Sequence, residues 1–447
     1  MSKAVAERVA GMDLRELARD ALALAKHKGA SQAEVVVDES SGFSATVRLG
    51  EVETVEHNRD KSLGLTVFFG HRSGSASTSD FSRAALEDTV QAACSIARYT
   101  AEDPCAGLAD PELLATEFPD LDLYAPWDIE VTQAIELAQA CEQAARDTDA
   151  RIVNSEGATV STHSGHDVYA NSLGFVGDTM GSRHSLSCVV LGKQDGAMQR
   201  DYWYTSARYP QDLEPGERIG RLAAERTVRR LGGRRISTRQ SPVIFEAPVA
   251  VSLLGHLVGA VRGSSLYRRA SFLLDQLDKP VFSSGIRIHE QPHLPRGTGS
   301  TAYDGEGVAT RDRDLVSDGI LTGYVLDSYS GRKLKMASTG NAGGVHNLTL
   351  EPGRLDLEAL LREMGSGLLV TELIGHGVNT VTGDYSRGAA GFWIEGGQIQ
   401  YPVEEITIAG NLKDMYKRIT AVGSDLDTRG NLRTGSVLID GITIAGS

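Results

Sequence analysis

The chain has 447 residues, too many for one ordinary domain, so two or three are expected. Its 59 acidic against 45 basic residues leave a formal net charge of -14, which argues against a nucleic-acid surface, where a basic patch is the electrostatic requirement. No apolar run reaches the roughly 18 residues of a membrane span, the charged opening MSKAVAERVAGMDLRE lacks the apolar core of a leader, and the cysteines (94, 105, 141, 188) read as reduced thiols buried mostly on helices, so a cytoplasmic protein is expected.

Residues 13–28 place Leu and Ala at helical spacing and stop at Gly29. Four strands follow, AEVVVDE, FSATVRL, EVETVEH and SLGLTVFF, with turns expected at Ser41-Gly42 and Leu49-Gly50. Asp80 is placed to cap a helix over 81–97. This order of helix, meander and helix predicts an α+β module over about 13–100. Residues 101–127, rich in Pro, Asp and Leu, read as an ordered connector. A second module, about 128–232, repeats the order: a helix over 128–147, strands through IVNSEGATVST to MQRDYWYTSA, and a helix over 214–231. Arg226, Arg229 and Arg230 suit the C-terminal end of that last helix. The pattern suggests an internal duplication without a repeat of residues.

Gly232-Gly233 marks a boundary between an N-terminal α+β region, 1–234, and a β-rich C-terminal domain, 235–447, expected as a twisted or barrel-like sheet. SPVIFEAP reads as a buried strand, and 249–262 as an apolar helix in which Gly255 and Gly259 suit close packing. One short helix is expected near 354–364. The stretch 370–412 then holds the densest polar set, His376, Asn379, Asp384, Tyr385, Ser386 and Arg387, framed by glycines and flanked by strands that turn at Gly396-Gly397. It is either a binding surface or an elaborate turn. As a surface it offers His376, Asp384, Tyr385 and Arg387 as cleft residues; as a turn, a buried Asp384–Arg387 pair would lock it.

That stretch also carries a resemblance. TGDYSRGAAGFWIE, followed by YPVEEITIAGNL and by the closing LIDGITIAGS, closely resembles the C-terminal signature of the TldD/PmbA family, on its PmbA (TldE) side. The likeness extends over most of the chain, including the Gly-rich block near 293–310. It implies a subunit of a bacterial peptide-processing assembly in which a TldD-type partner supplies zinc. In TldD-type proteins the helix matching 249–262 carries His-Glu-x-x-x-His, with two imidazoles on one face for zinc and the Glu as general base. The matching window here is Val251-Ser252-Leu253-Leu254-Gly255-His256, so His256 alone remains. The family's later cysteine ligand has no counterpart after Cys188. One imidazole cannot hold a catalytic zinc, which takes about three protein ligands. The resemblance therefore implies a chain with no catalytic residue, metal or cofactor of its own, and His256 reads as a hydrogen-bonded core histidine.

Other chemistries find no support. His289-Glu290-Gln291-Pro292-His293 matches H-E-x-x-H in letters, but Pro292 would break the helix that motif needs. His163 and His166 read as a turn between strands. A Ser386, His376 and Asp384 triad is near only in sequence. The block Arg296–Gly307 lacks the helix and Lys of a phosphate loop, and Asp304 with Glu306 supplies too few ligands for calcium. The leading expectation is a non-catalytic subunit that pairs with a TldD-type protein and shapes a chamber for unfolded or small peptides, with loops 296–307 and 375–388 as walls. For the family this means maturation of peptide antibiotics and antitoxin turnover. An extended peptide could add to a strand edge. A heterodimer through the C-terminal domain is expected, or a homodimer in isolation. The alternatives are an independent metallopeptidase, using His256 with His376 or Glu372, and a non-enzymatic regulator of DNA gyrase.

Overall fold

The computed structural model describes residues 13–446, so the N-terminal stretch read against a leader lies outside the described residues. Helix α1 (Leu14–His27) is capped by Asp13, whose carboxylate accepts from the Arg15 N–H, and packs Leu14, Leu17 and Ala21 inward. Strands β1 (Gln32–Arg48), β2 (Glu51–Phe69) and β3 (Arg72–Thr78) follow, then α2 (Arg83–Tyr99). The second module runs α3 (Val131–Thr148), β4 (Ile152–Asn171), β5 (Val176–Gln194), β6 (Ala197–Ala207) and α4 (Gly216–Arg229). Both modules share one six-stranded antiparallel sheet, in the order β3-β2-β1-β4-β5-β6, joined through β1 and β4.

The expected turn at Ser41-Gly42 does not form. β1 runs straight through it because β2 and β4 hydrogen-bond it on both sides, with Gly42 opposite Asn58 and His163. Its burial keeps one phase throughout: Val35 and Val37 enter the cluster under α1 and α2, while Phe43, Ala45 and Val47 enter the cluster under α3 and α4. Leu49-Gly50 does turn, both with positive φ. The α2 cap is Ser82 rather than Asp80, because Asp80 accepts from the Ser82 N–H two residues outside the helix. Of the cysteines, Cys94 and Cys141 are buried on helices, Cys188 is buried on β5, and Cys105 is half-buried in a loop. Gly220 lets α4 touch α3, since a Cβ there would lie 2.0 Å from the Cys141 carbonyl oxygen.

The connector after α2 staples the two regions together. Ala115 N–H donates to the Gly307 carbonyl and Ala309 N–H to the Leu113 carbonyl, both at 2.9 Å. The C-terminal region comprises β7 (Arg239–Phe245), α5 (Ala247–Val261), α6 (Gly263–Tyr267), β8 (Ile288–Glu290), β9 (Arg313–Ser317), β10 (Ile320–Leu321), α7 (Ser328–Leu334) and β11 (Leu348–Leu350). It continues with α8 (Leu357–Met364), β12 (Gly367–Ile374), β13 (Asp384–Glu395), β14 (Gln398–Asn411), α9 (Leu412–Lys417), β15 (Ile419–Val422), β16 (Leu432–Arg433) and β17 (Val437–Ala445). Strands β14-β13-β12-β7-β17 close into a five-stranded barrel through β14–β17 pairing, while β10-β9-β8-β11-β16 curve as a half-barrel. One cluster joins Val243, Val370 and Ile408 of the barrel, Leu253 and Leu257 of α5, and Ile288 and Leu348 of the half-barrel. The α5 glycines are not close-packing positions: a Cβ at Gly259 would meet no atom within 4 Å, and one at Gly255 only Leu432 at 3.8 Å. No helix of the described residues is long and apolar enough to cross a membrane.

Candidate functional site

Helix α5 starts where Pro248 occupies its first turn, a position with no N–H to lose, and Glu246 stands at its N-cap. It is apolar almost all round, as a helix wedged between two sheets must be. Its first turns line a cavity of about 550 Å³ with Pro248, Val249, Val251 and Ser252. The other walls are β6, the end of α4, residues 371–373 of β12, Arg387 of β13 and a strap over 427–432. The Ser252 hydroxyl donates to the Val249 carbonyl at 2.7 Å, inside its own helix, so it is not free to work on a ligand.

Arg387 apart, the arginines of this cavity are paired with carboxylates. Arg226 donates to Glu246 at 3.0 and 3.2 Å and lies 3.5 Å from Asp201; Arg230 reaches Asp201 at 3.4 Å and also pairs with Glu372. Burial alone would lower the Arg226 pKa, but Glu246 and Asp201 outweigh it and raise it. On the strap, Arg429 holds Asp427 in a two-pronged pair at 2.7 and 2.9 Å and stacks on Trp203 and Tyr204. Burial pushes the Asp427 carboxyl up, yet the Arg429 bonds leave it below the ordinary range. None of Arg226, Arg230, Asp427 and Arg429 stands out as a site residue in the sequence, because the carboxylates that Arg226 and Arg230 meet and the rings under Arg429 lie on other elements.

His256 sits half-buried one turn beyond Ser252, its ring edge-on to Tyr385 at 6.0 Å. Its Nε2 has no hydrogen-bond partner, which departs from the hydrogen-bonded core histidine expected. Burial, and then the Arg387 charge, lower its pKa and keep it neutral. Tyr385 is buried, its hydroxyl without a partner, and burial pushes its pKa up to about 12 against the pull of Arg387. Arg387 lines the cavity with its Nε also unpartnered. Tyr385 and Arg387, two apart on β13, thus share the face that meets α5.

Asp384 is elsewhere. It is exposed, accepts from Thr382 at 2.6 Å and Asn411 at 3.0 Å, and those bonds lower its pKa. The expected Asp384–Arg387 pair is absent because three residues along a strand put the two side chains on opposite faces. His376 is exposed in the loop after β12 and Ser386 is exposed on β13, so no triad assembles. Of the Gly-rich block, Arg296, Gly297 and Thr298 line a second cavity, and Tyr303 packs on Phe175 and Phe118. His289 and Glu290 lie on β8, with Glu290 buried against Arg313 at 2.8 Å and Asn341 at 2.8 Å. Among the described residues no group of three His, Cys, Asp or Glu side chains is placed to hold a metal ion.

Comparison with known proteins fits this frame. Models of the PmbA/TldA metallopeptidase domain 1, central domain and C-terminal domain match residues 33–97, 124–231 and 238–446. The chain belongs to the PmbA/TldD family. It is 52% identical to the metalloprotease PmbA of Escherichia coli O157:H7 over 97% of this chain and 96% of that protein. A structure described as a candidate modulator of DNA gyrase, from Bacteroides thetaiotaomicron, is 30% identical with a TM-score of 0.92, covering 97% of this chain and 99% of that one. TldE from Thermococcus kodakarensis shares the fold with a TM-score of 0.82 at 19% identity, over 96% of this chain and 100% of that one.

Proposed function

We propose that this chain is the non-catalytic subunit of a paired, TldD/TldE-type peptidase, shaping a chamber for unfolded or small peptides while a TldD-type partner supplies zinc and the general base. What carries the reading is the window at α5. Val251 and Ser252 stand at the first-ligand and base positions, the Ser252 hydroxyl is spent on its own helix, and His256 is the only imidazole. Zinc does not fit these residues: the neighbours of His256 are Tyr385 and the cationic Arg387, which repels a divalent ion rather than neutralising it. The peptide substrates, the cytoplasmic setting and the heterodimer through the C-terminal domain belong to the same reading. The name of the Bacteroides relative favours a second one, a regulator of DNA gyrase without peptide processing.

Reconstitution tests both. The purified chain, dialysed and exposed to zinc, is expected to retain less than about a tenth of an equivalent and to cleave no unfolded peptide alone. Mixing it with a TldD-type subunit is expected to produce peptide cleavage and a heterodimer by light scattering. Near-stoichiometric zinc abolished by His256→Ala would sink the reading in favour of an independent metallopeptidase. Gyrase binding with no gain of cleavage on mixing would favour the second.

A further inference from the structure

The strap that closes the α5 cavity has a second side. Leu426, Thr428 and Arg433 face away from α5 into a larger cavity, about 740 Å³, between the half-barrel, the end of β6 and the loop at 294–298. Across the half-barrel, β16, β11 and β8 put Arg433, Thr349 and His289 in register, so one row of side chains lines its floor. Arg208, just beyond β6, forms the opposite wall.

The cations here divide into two kinds. Arg287 is held by Asp314 at 2.9 Å and Glu351 at 3.2 Å, and Arg296 by Asp122 at 2.6 Å and Asp212 at 3.2 Å. These pairs consume the carboxylates that line the cavity, Asp212 and Glu351. Arg433 and Arg208 are left without one. The Arg433 guanidinium makes no hydrogen bond or ion pair among the described residues, and its buried Nε has no acceptor. Burial alone lowers its pKa, with no opposing carboxylate. Arg208 spends its Nη atoms on the carbonyls of Ser182, at 3.2 Å, and Thr298, at 2.9 Å, and its Nε is also an orphan. Burial, and then the Arg183 charge, lower its pKa. His289 pairs its Nε2 with Gln291 Oε1 at 3.1 Å and leaves Nδ1 buried and unpartnered.

Arg433 and Arg208 are half-buried, each with a buried Nε, and a partly desolvated cation that faces no carboxylate carries a cost that a bound anion would relieve. In an acidic chain with 59 Asp and Glu residues, two guanidinium groups that line one cavity without a carboxylate partner suit an anionic ligand. Guanidinium forks match carboxylate oxygens in geometry as well as charge. We propose that this cavity is a carboxylate-binding subsite, in which Arg433 and Arg208 anchor an acidic group of a peptide, with His289 beside them. The proposal rests on the peptide reading for the identity of the ligand, though not for the chemistry of the site. The carboxylate is either the C-terminus of the peptide or an acidic side chain.

The test is calorimetric titration of the full chain with one hexapeptide of Ala and Gly in four forms: C-terminal acid or amide, combined with Glu or Gln at its centre. Peptides carrying an acid are expected to bind about tenfold or more tighter than the amide with Gln, as charge-assisted bonds do. Whichever single acid keeps the gain names the source. Arg433→Gln should bring the four forms to within about twofold, and Arg433→Lys, which keeps the charge but loses the fork, should fall between. Equal binding of the four forms by the wild type, or a gain untouched by both variants and by Arg208→Lys, would overturn the subsite even if cleavage with a TldD-type partner is intact. If no form binds, succinate decides independently of the peptide reading. A rise in melting temperature with succinate in the wild type but not in Arg433→Gln supports the subsite, and no rise in the wild type overturns it.

Discussion

In the cavity against α5, Arg226, Arg230 and Arg429 each reach a carboxylate, whereas across the strap Arg433 and Arg208 reach none. Leu426, Thr428 and Arg433 line one cavity and Asp427 and residues 429–432 the other, so one short segment faces both environments. The difference separates two uses of a buried guanidinium. Paired with Glu246, Asp201 or Asp427, it ties α4, α5, β6 and the strap together, and its charge is already balanced. Unpaired, as at Arg433, it keeps its fork open, whereas Arg208 has no carboxylate but spends its Nη atoms on backbone carbonyls. Arg387 is the exception in the first cavity, set between a neutral His256 and a protonated Tyr385.

Breaking the paired side should give the largest effect. Glu246→Gln removes the negative charge shared by Arg226 and Arg229 at a buried position and sets an amide N–H against them, and about 3–5 kcal/mol of stability should be lost in chemical denaturation. A loss under about 1 kcal/mol would mean that these pairs are ornaments of a junction held by packing.

A mirror case, the half-buried carboxylate of Glu34 with no cation beside it among the described residues, sharpens the contrast. Glu34 accepts from the Tyr169 hydroxyl at 2.9 Å; burial raises its pKa from 4.5 to about 7, against that bond and with help from the Glu306 charge. A raised folded-state pKa contributes stability below pH 4.5 that is lost as pH rises through about 7. Glu34→Gln is therefore expected to raise the melting temperature at pH 8 and to flatten its fall between pH 5 and pH 7. An unchanged profile would show that Glu34 ionises freely in the folded protein.

On the unpaired side, Arg433→Gln should change stability by no more than about 1 kcal/mol, and in the stabilising direction, because it removes a half-buried charge that no carboxylate balances. A loss comparable to that of Glu246→Gln would reveal a structural partner for Arg433. The smallest change is expected at His256. Its folded pKa is depressed, so its ionisation costs stability as pH falls below 6.5. His256→Phe should leave stability at pH 8 within about 1 kcal/mol and lessen the loss on acidification, as read from melting temperatures between pH 8 and pH 5.

Local pattern made the longer helices and most of the extended segments of the N-terminal modules legible. The odd-numbered run Ala33, Val35, Val37, Phe43, Ala45, Val47 even carried the signal that β1 is one strand, since its phase survives Ser41-Gly42. Polar turn residues hid it, because whether Gly42 turns depends on the strands beside it. Asp384 and Arg387 were misread as partners because nearness in sequence ignores which face of a strand each occupies. The helices α6, α7 and α9 escaped notice, being a few residues long and held by tertiary contacts rather than by a period.

By itself, the sequence determined the family, through the stretch from Thr382 to Glu395, and the side chains available along α5, because these are matters of residue identity in order. Only the tertiary structure decided that the two modules share one sheet, that five strands close a barrel, and which buried charges find partners. Compensation of a charge depends on distances between residues far apart in the chain. No local pattern records whether Arg226 meets Glu246 or whether Arg433 meets nothing.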